Sequence, residues 1–153
     1  MESISLDSAV MISNWSRRTW WRRITEGIVS RLADDDRGRT MLPWSAVQGL
    51  LAIPFNEADI AVLADADRGD AAAQNDIGQL LAIEGCNEAS LYWIRQAVEQ
   101  EYPDAMQWLG RAYAAGIGVP KNDNLAIMWI AKAAAKGHII AAQQMRNLIN
   151  SAQ

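Results

Sequence analysis

The chain is poor in the residues that carry most chemistry: one cysteine, one histidine, one phenylalanine and four prolines among 153 residues. A lone Cys86 cannot form an intramolecular disulfide and has no neighbour for a Cys-x-x-Cys metal or redox site. His138 follows Gly137 and reads as a turn residue; Cys86, beside Gly85, also sits in a turn. No third group is placed to orient them as nucleophile and base. The acids are scattered without metal-ligand spacing. Gly116-Ile-Gly118 lacks the preceding strand that a phosphate loop needs. No catalytic residue, metal or cofactor is therefore expected. No stretch approaches the ~18 apolar residues of a membrane span. The start, Met1-Glu2-Ser3-Ile4-Ser5, has neither the basic nor the apolar region of a secretory signal, so a cytoplasmic protein is expected.

What is present fits an ordered, globular chain. Apolar residues make up 50% and charged residues 21%, which excludes a disordered class. The formal net charge of −4 argues against nucleic acid as the main partner. The charge is uneven, with seven Arg against six acids in residues 1–40 and seven bases against twelve acids in 41–153. An anion-binding role would have to sit near the N-terminus.

The second half repeats itself. Ala105-Met-Gln-Trp-Leu-Gly110 echoes Ala73-Gln-Asn-Asp-Ile-Gly78, 32 positions earlier. Leu125-Ala-Ile-Met-Trp-Ile-Ala-Lys-Ala133 echoes Ala89-Ser-Leu-Tyr-Trp-Ile-Arg-Gln-Ala97 at an offset of 36, so the second copy has four more residues in its middle loop, around Gly116–Pro120. Ala141-Ala-Gln-Gln-Met145 restarts the pattern. Each copy reads as two helices. Ala105, Trp108, Leu109, Ala112 and Tyr113 share one helical face, as do Ala126, Trp129, Ile130, Ala133 and Ala134. Pro103 and Asp104 suit a helix start, Gly116 and Gly137 suit helix ends, and Asn122 or Asp123 suits a cap. Gly78 and Gly110 fall in mid-helix, where glycine costs about 0.5–1 kcal/mol. Close approach of a neighbouring helix, with a Trp or Tyr beside it, would explain them. Trp93 and Trp129 occupy equivalent positions and read as core.

The run Ala105-x-x-x-Leu109-Gly110-x-x-Tyr113-x-x-Gly116-x-Gly118-Val119, continued by Ala126, Trp129, Ala133, Ala134 and Gly137, resembles the Sel-one-like repeat, a relative of the tetratricopeptide repeat. The resemblance covers 73–149 well and 57–72 weakly. It implies an all-α fold: a short, right-handed α/α solenoid of antiparallel helix pairs, acting as an adaptor or scaffold. Some secreted relatives staple each repeat with a cysteine pair, which this chain lacks. The expected organisation is an N-terminal helical cap or extension over 1–56 and repeats over 57–153. The latter divide into a degenerate half repeat 57–72, repeats 73–104 and 105–140, and a capping helix 141–153.

Outside the repeats, 57–68 reads as a helix after Asn56 with Asp59 at a capping-box position, ending at Gly69. Pro43 opens a short helix to about Ala52. Residues 33–40 read as a loop. Residues 15–32 read as one helix with Trp21, Ile24, Ile28 and Leu32 on its buried face, Trp15 and Trp20 fitting that face less well. Residues 1–12 could be helical or disordered.

Two groups of residues are candidate partner-binding sites. The first is Trp15-Ser-Arg17-Arg18-Thr-Trp20-Trp21-Arg22-Arg23, three Trp and four Arg in nine residues. Arginine binds carboxylate and phosphate bidentately, and indoles stack on bases or sit at membrane surfaces. Docking an acidic protein, binding nucleic acid or acidic lipid, and a Trp-anchored cap whose Arg pair with the acidic body are the readings of Trp15, Arg17, Arg18, Trp20, Arg22 and Arg23. The second is a ladder of Asn75 and Gln79, Gln107 and Arg111, Gln143 and Asn147. These repeat on the first helix of each unit and would line a groove for an extended peptide, or form an ordinary solvated face. A protein or peptide partner is expected, with a homodimer through the N-terminal segment as a further option.

Overall fold

A computed structural model describes residues 1–152; Gln153, the last residue of the expected capping helix, lies outside them. Among the described residues the chain is mainly helical and divides into two compact units, 1–69 and 70–153.

The N-terminal unit opens with strand β1 (Ser3–Ser5) and helix α1 (Leu6–Ile12), so residues 1–12, left open by the sequence, are ordered. Ser5 caps α1 by accepting the Ser8 amide at its hydroxyl. β1 pairs antiparallel with β2 (Met41–Pro43), Ile4 opposite Leu42, both fully buried. Three-residue strands are too short to leave a period in the sequence. The expected helix over 15–32 is instead α2 (Arg17–Thr25), capped by Ser16. Gly27, at φ +75°, lies in the left-handed region just past its end. Pro43 closes β2 and caps a single helical turn, α3 (Trp44–Val47), which relaxes into a 3-10 turn at Gln48–Leu50. The expected helix to Ala52 is accordingly shorter.

Helix α4 (Glu57–Arg68) forms as expected, with a reciprocal capping box between Asn56 and Asp59 and Gly69 left-handed at φ +109°. It belongs to the N-terminal unit, so the unit boundary falls at Gly69, beyond the expected boundary after residue 56. The tie is Asp67, only 6% exposed. Its carboxylate accepts the Ser5 amide (3.1 Å), the Ser5 and Ser8 hydroxyls (2.5 and 2.6 Å) and Arg39 Nη1 (3.2 Å). Arg39 also bridges to Asp35 at 2.8 Å. The Arg39 backbone amide, foremost, and its guanidinium hold the Asp35 carboxyl below the usual carboxylate range.

The second unit is two helix hairpins and a final helix. Helices α5 (Ala71–Ile83) and α6 (Asn87–Glu99) pair, as do α7 (Pro103–Ala115) and α8 (Asp123–Ala135); α7 also packs on α6, and α9 (Ile139–Ser151) on α8. The punctuation follows the sequence: Asp70 and Asn122 cap α5 and α8, Pro103 occupies the first turn of α7, and Gly116 ends it at φ +67°. The core joins Ile94, Ala97, Ala105, Leu109, Ile130, Ala133 and Ala141 across the hairpins.

The mid-helix glycines are contact points, though not against aromatics. A Cβ at Gly78 would stand 2.7 Å from Ile94 Cγ1, and one at Gly110 would stand 2.7 Å from Ile130 Cγ1 and 3.0 Å from the Ala126 carbonyl oxygen. The two hairpins are thus held at the same narrow spacing by the same device. Trp93 is buried (1% exposed), but its equivalent Trp129 is only partly so, with Lys132 Nζ 4.8 Å from its ring centre.

Candidate functional site

The Trp/Arg segment separates into an anchor and an open face. Trp20, not Trp21, is the buried residue: it is 0% exposed, donates its indole N–H to Ser13 Oγ at 3.0 Å, and meets Trp15 edge-on at 4.8 Å. The phase differs from the expected one because Ser16 starts the helix and the indole partner lies outside it. Trp21 is 38% exposed, with the Arg31 guanidinium 6.0 Å above its ring. Arg17 is tied to Asp7 at 2.6 Å, and Arg23 lies 5.6 Å over Trp15 and 3.9 Å from Glu26. Arg18 and Arg22, one turn apart, are exposed and make no ion pair among the described residues. Trp15, Arg17, Trp20 and Arg23 therefore build the segment, while Arg18, Trp21 and Arg22 face outward.

The polar ladder is not one surface. Asn75 and Gln107 are 2% and 7% exposed. Gln107 Nε2 donates to Gln144 Oε1 of α9 at 3.2 Å, which places that position against the following hairpin's first helix. Gln79 Nε2 donates to Asn75 Oδ1 (3.3 Å), Gln143 Nε2 to Asn147 Oδ1 (3.0 Å), and Arg146 to Gln143 Oε1 (2.8 Å). Repeat transfer put these six residues at equivalent positions; what it missed is that Gln107 is covered by the following helix and that Asn75 is buried as well. Arg111 stays exposed and makes no ion pair among the described residues.

His138 is structural. Its Nδ1 accepts the Ala141 amide at 3.0 Å, capping α9, and its Nε2 lies 3.2 Å from Asp104. His138→Ala should lower the unfolding free energy by about 1 kcal/mol, while His138→Asn keeps the cap; urea unfolding of the two variants separates them. Equal loss in both would remove the capping role. Cys86 precedes α6 as a free thiol. Among the described residues no group of three His, Cys, Asp or Glu could hold a metal ion, and no helix is long and apolar enough to cross a membrane. A cleft of about 550 Å³ lies between Glu2, Asp35, Arg37, Arg39, Asp67 and Arg68. Its guanidinium groups are already engaged: Arg37 with the Arg68 carbonyl, Arg39 with Asp35 and Asp67, Arg68 with Asp65.

Stacked helix hairpins spaced by mid-helix glycines define an α/α repeat protein, a class that works through surfaces. The chain belongs to the Sel1 repeat family, the Sel-one-like repeat of the motif, whose members generally mediate protein–protein interaction. The sequence model of the Sel1 repeat matches residues 103–138. The crystal structure of a Sel1 repeat protein from Oxalobacter formigenes is similar at 33% identity and a TM-score of 0.50, over 56% of this chain and 68% of that one. A protective antigen of uropathogenic Escherichia coli strains, c5321, which displays the same repeat fold, is similar at 34% identity and a TM-score of 0.51. That match covers 60% of this chain and only 20% of the antigen. No curated protein matches the chain significantly.

Proposed function

We propose that the protein is a non-catalytic, cytoplasmic adaptor that docks an acidic region of another protein on Arg18, Trp21 and Arg22. The observation that carries this reading is two guanidinium groups, one helical turn apart and without an ion pair among the described residues, on the same helix as a partly exposed indole. Arginine and tryptophan are the residues on which interface energy concentrates, and a carboxylate takes two parallel hydrogen bonds from one guanidinium. The non-catalytic reading rests on His138, both of whose ring nitrogens are already engaged.

Affinity capture from the native cell with Arg18→Ala/Arg22→Ala beside the unaltered chain tests the docking face. Recovery of a specific protein partner should fall about 10-fold or more, with the circular dichroism spectrum unchanged. Undiminished recovery would contradict the site. Nucleic acid or acidic lipid recovered instead, with binding that weakens steeply with salt, would favour an anion-surface module. A dimer by light scattering, lost in the variant, would favour self-association through the same segment.

A further inference from the structure

Helix α9 is held more lightly than the helices before it. Among the described residues Ala141 is its one buried residue, against six in each of α5, α6 and α7 and three in α8. Ile139, Ile140, Leu148 and Ile149 stand in solvent. The start of such a helix depends on its cap, because its first amides have no carbonyl within the helix to meet. Asp70 and Asn122 cap α5 and α8 through side-chain oxygens, whereas α9 is capped by a ring nitrogen. His138 Nδ1 accepts the Ala141 amide at 3.0 Å, so the ring proton sits on Nε2, 3.2 Å from Asp104 Oδ1 in the first turn of α7. The His138 side chain is 11% exposed. A capping oxygen keeps lone pairs to spare near neutrality. An imidazole nitrogen has one, and loses it on taking up a proton.

We infer that α9 is a proton-released latch: its first turn is closed while His138 is neutral and opens when the ring is protonated. Protonation sets a second N–H against the Ala141 N–H and puts a cation at the positive end of the helix dipole. Asp104 pulls the other way, but the neutral ring already donates to it from Nε2, so the proton adds charge there without adding a bond. The Asp104 side chain is also 54% exposed, where water weakens the attraction. The other charges at this joint are committed: Lys136 pairs with Glu101 at 3.1 Å, and Lys132 Nζ lies over the Trp129 ring. Tyr102, beside Asp104, stays neutral, because burial and then Asp104, Asp76 and Asp70 oppose its ionisation. α9 carries no acid, and the first charge after His138 is Arg146, about two turns on. Cap and proton exclude each other at Nδ1, so acid favours the open turn. The hold is complete above the range, around 6.5, in which imidazoles titrate, and is lost as pH falls through it. The turn opens about Gly137, left-handed at φ +90°, and uncovers Ala141 and Met145 with the core they close against Ala105, Leu109 and Ala133.

The test compares the full chain with His138→Asn, which caps through an oxygen that does not titrate. Amide hydrogen exchange at Ala141 and Met145 is measured on either side of the imidazole range, at about pH 7.5 and about pH 5.5. Rates are taken relative to an unstructured chain at the same pH, which removes the intrinsic dependence of exchange on pH. On acidification, protection at both residues should fall at least about 3-fold more in the unaltered chain than in His138→Asn, the equivalent of one lost cap. Protection in α6 should change alike in the two proteins, which places the effect at α9. Asp104→Asn removes the carboxylate that favours the charged ring, so it should move the loss to lower pH. Equal falls in the unaltered chain and His138→Asn overturn the proposal. So does protection that rises in acid in the unaltered chain alone, which would make the His138–Asp104 pair the stronger tie. A loss at higher pH in Asp104→Asn also overturns it.

Discussion

Gly110→Ala is expected to lower the unfolding free energy by about 1–3 kcal/mol, and Gly110→Leu to abolish cooperative folding of the repeat unit. Helix propensity alone points the other way, since alanine is better than glycine inside a helix by about 1 kcal/mol. Geometry decides the sign. The new methyl carbon would lie 2.7 Å from Ile130 Cγ1 and 3.0 Å from the Ala126 carbonyl oxygen. A side chain can rotate away, but that carbonyl belongs to the backbone of α8 and moves only if the helix moves. Leu109, Ile130 and Ala133 share one core, so parting α7 from α8 opens contacts well beyond position 110. Gly49 is the control: a Cβ there meets nothing within 4 Å, and Gly49→Ala should be nearly neutral. Urea unfolding followed by circular dichroism measures both. A stabilised Gly110→Ala would mean that the hairpin is not closely packed.

The second large effect is at Asp67. Asp67→Ala should destabilise the N-terminal unit by about 3–5 kcal/mol, because it removes one member of a buried charged network and strands the others. The Ser8 hydroxyl and the Ser5 amide would lose their acceptor, the Ser5 hydroxyl would keep only Ser8 Oγ, and Arg39 would keep Asp35 and the backbone carbonyl of residue 67. Asp67→Asn restores the shape but exchanges an acceptor oxygen for a donor facing hydroxyls and a guanidinium, so it should recover only part of the loss. Amide hydrogen exchange reads the effect locally: Ser5, whose N–H is held by Asp67, should exchange far faster in Asp67→Ala. Unchanged protection at Ser5, with stability within about 1 kcal/mol of the parent, would show that the network is incidental.

The two units differ in how much of them the sequence shows. The hairpins are legible because their packing repeats. Small residues recur at fixed spacing, Pro103 and Gly116 bound α7, and Asn122 and Asp70 cap where a cap is required. Even there, self-comparison reveals equivalent positions but not what covers them. Gln107 resembles a surface amide until the Gln144 partner on α9 is seen.

The N-terminal unit is set by contacts between residues far apart in sequence. Its strands have three residues each. The buried side of α2 is chosen by the Ser13–Trp20 bond, from a residue outside the helix, so a face inferred from spacing within the segment takes Trp21 for Trp20. Asp67 meets Ser5 and Ser8 from 62 and 59 positions away, and nothing local marks that pairing. The exposed face of Arg18 and Arg22 was legible, because residues one turn apart share a side of the helix whichever tryptophan is buried.

Photo-crosslinking in the native cell, with benzoylphenylalanine at position 21 and, as a control, at position 95, puts the docking face to the most direct test. Both positions are exposed. The adaptor reading predicts a discrete protein adduct from position 21 that is absent from position 95 and disappears when Arg18 and Arg22 are also changed to Ala. No adduct from position 21, or the same adduct from both positions, would contradict it.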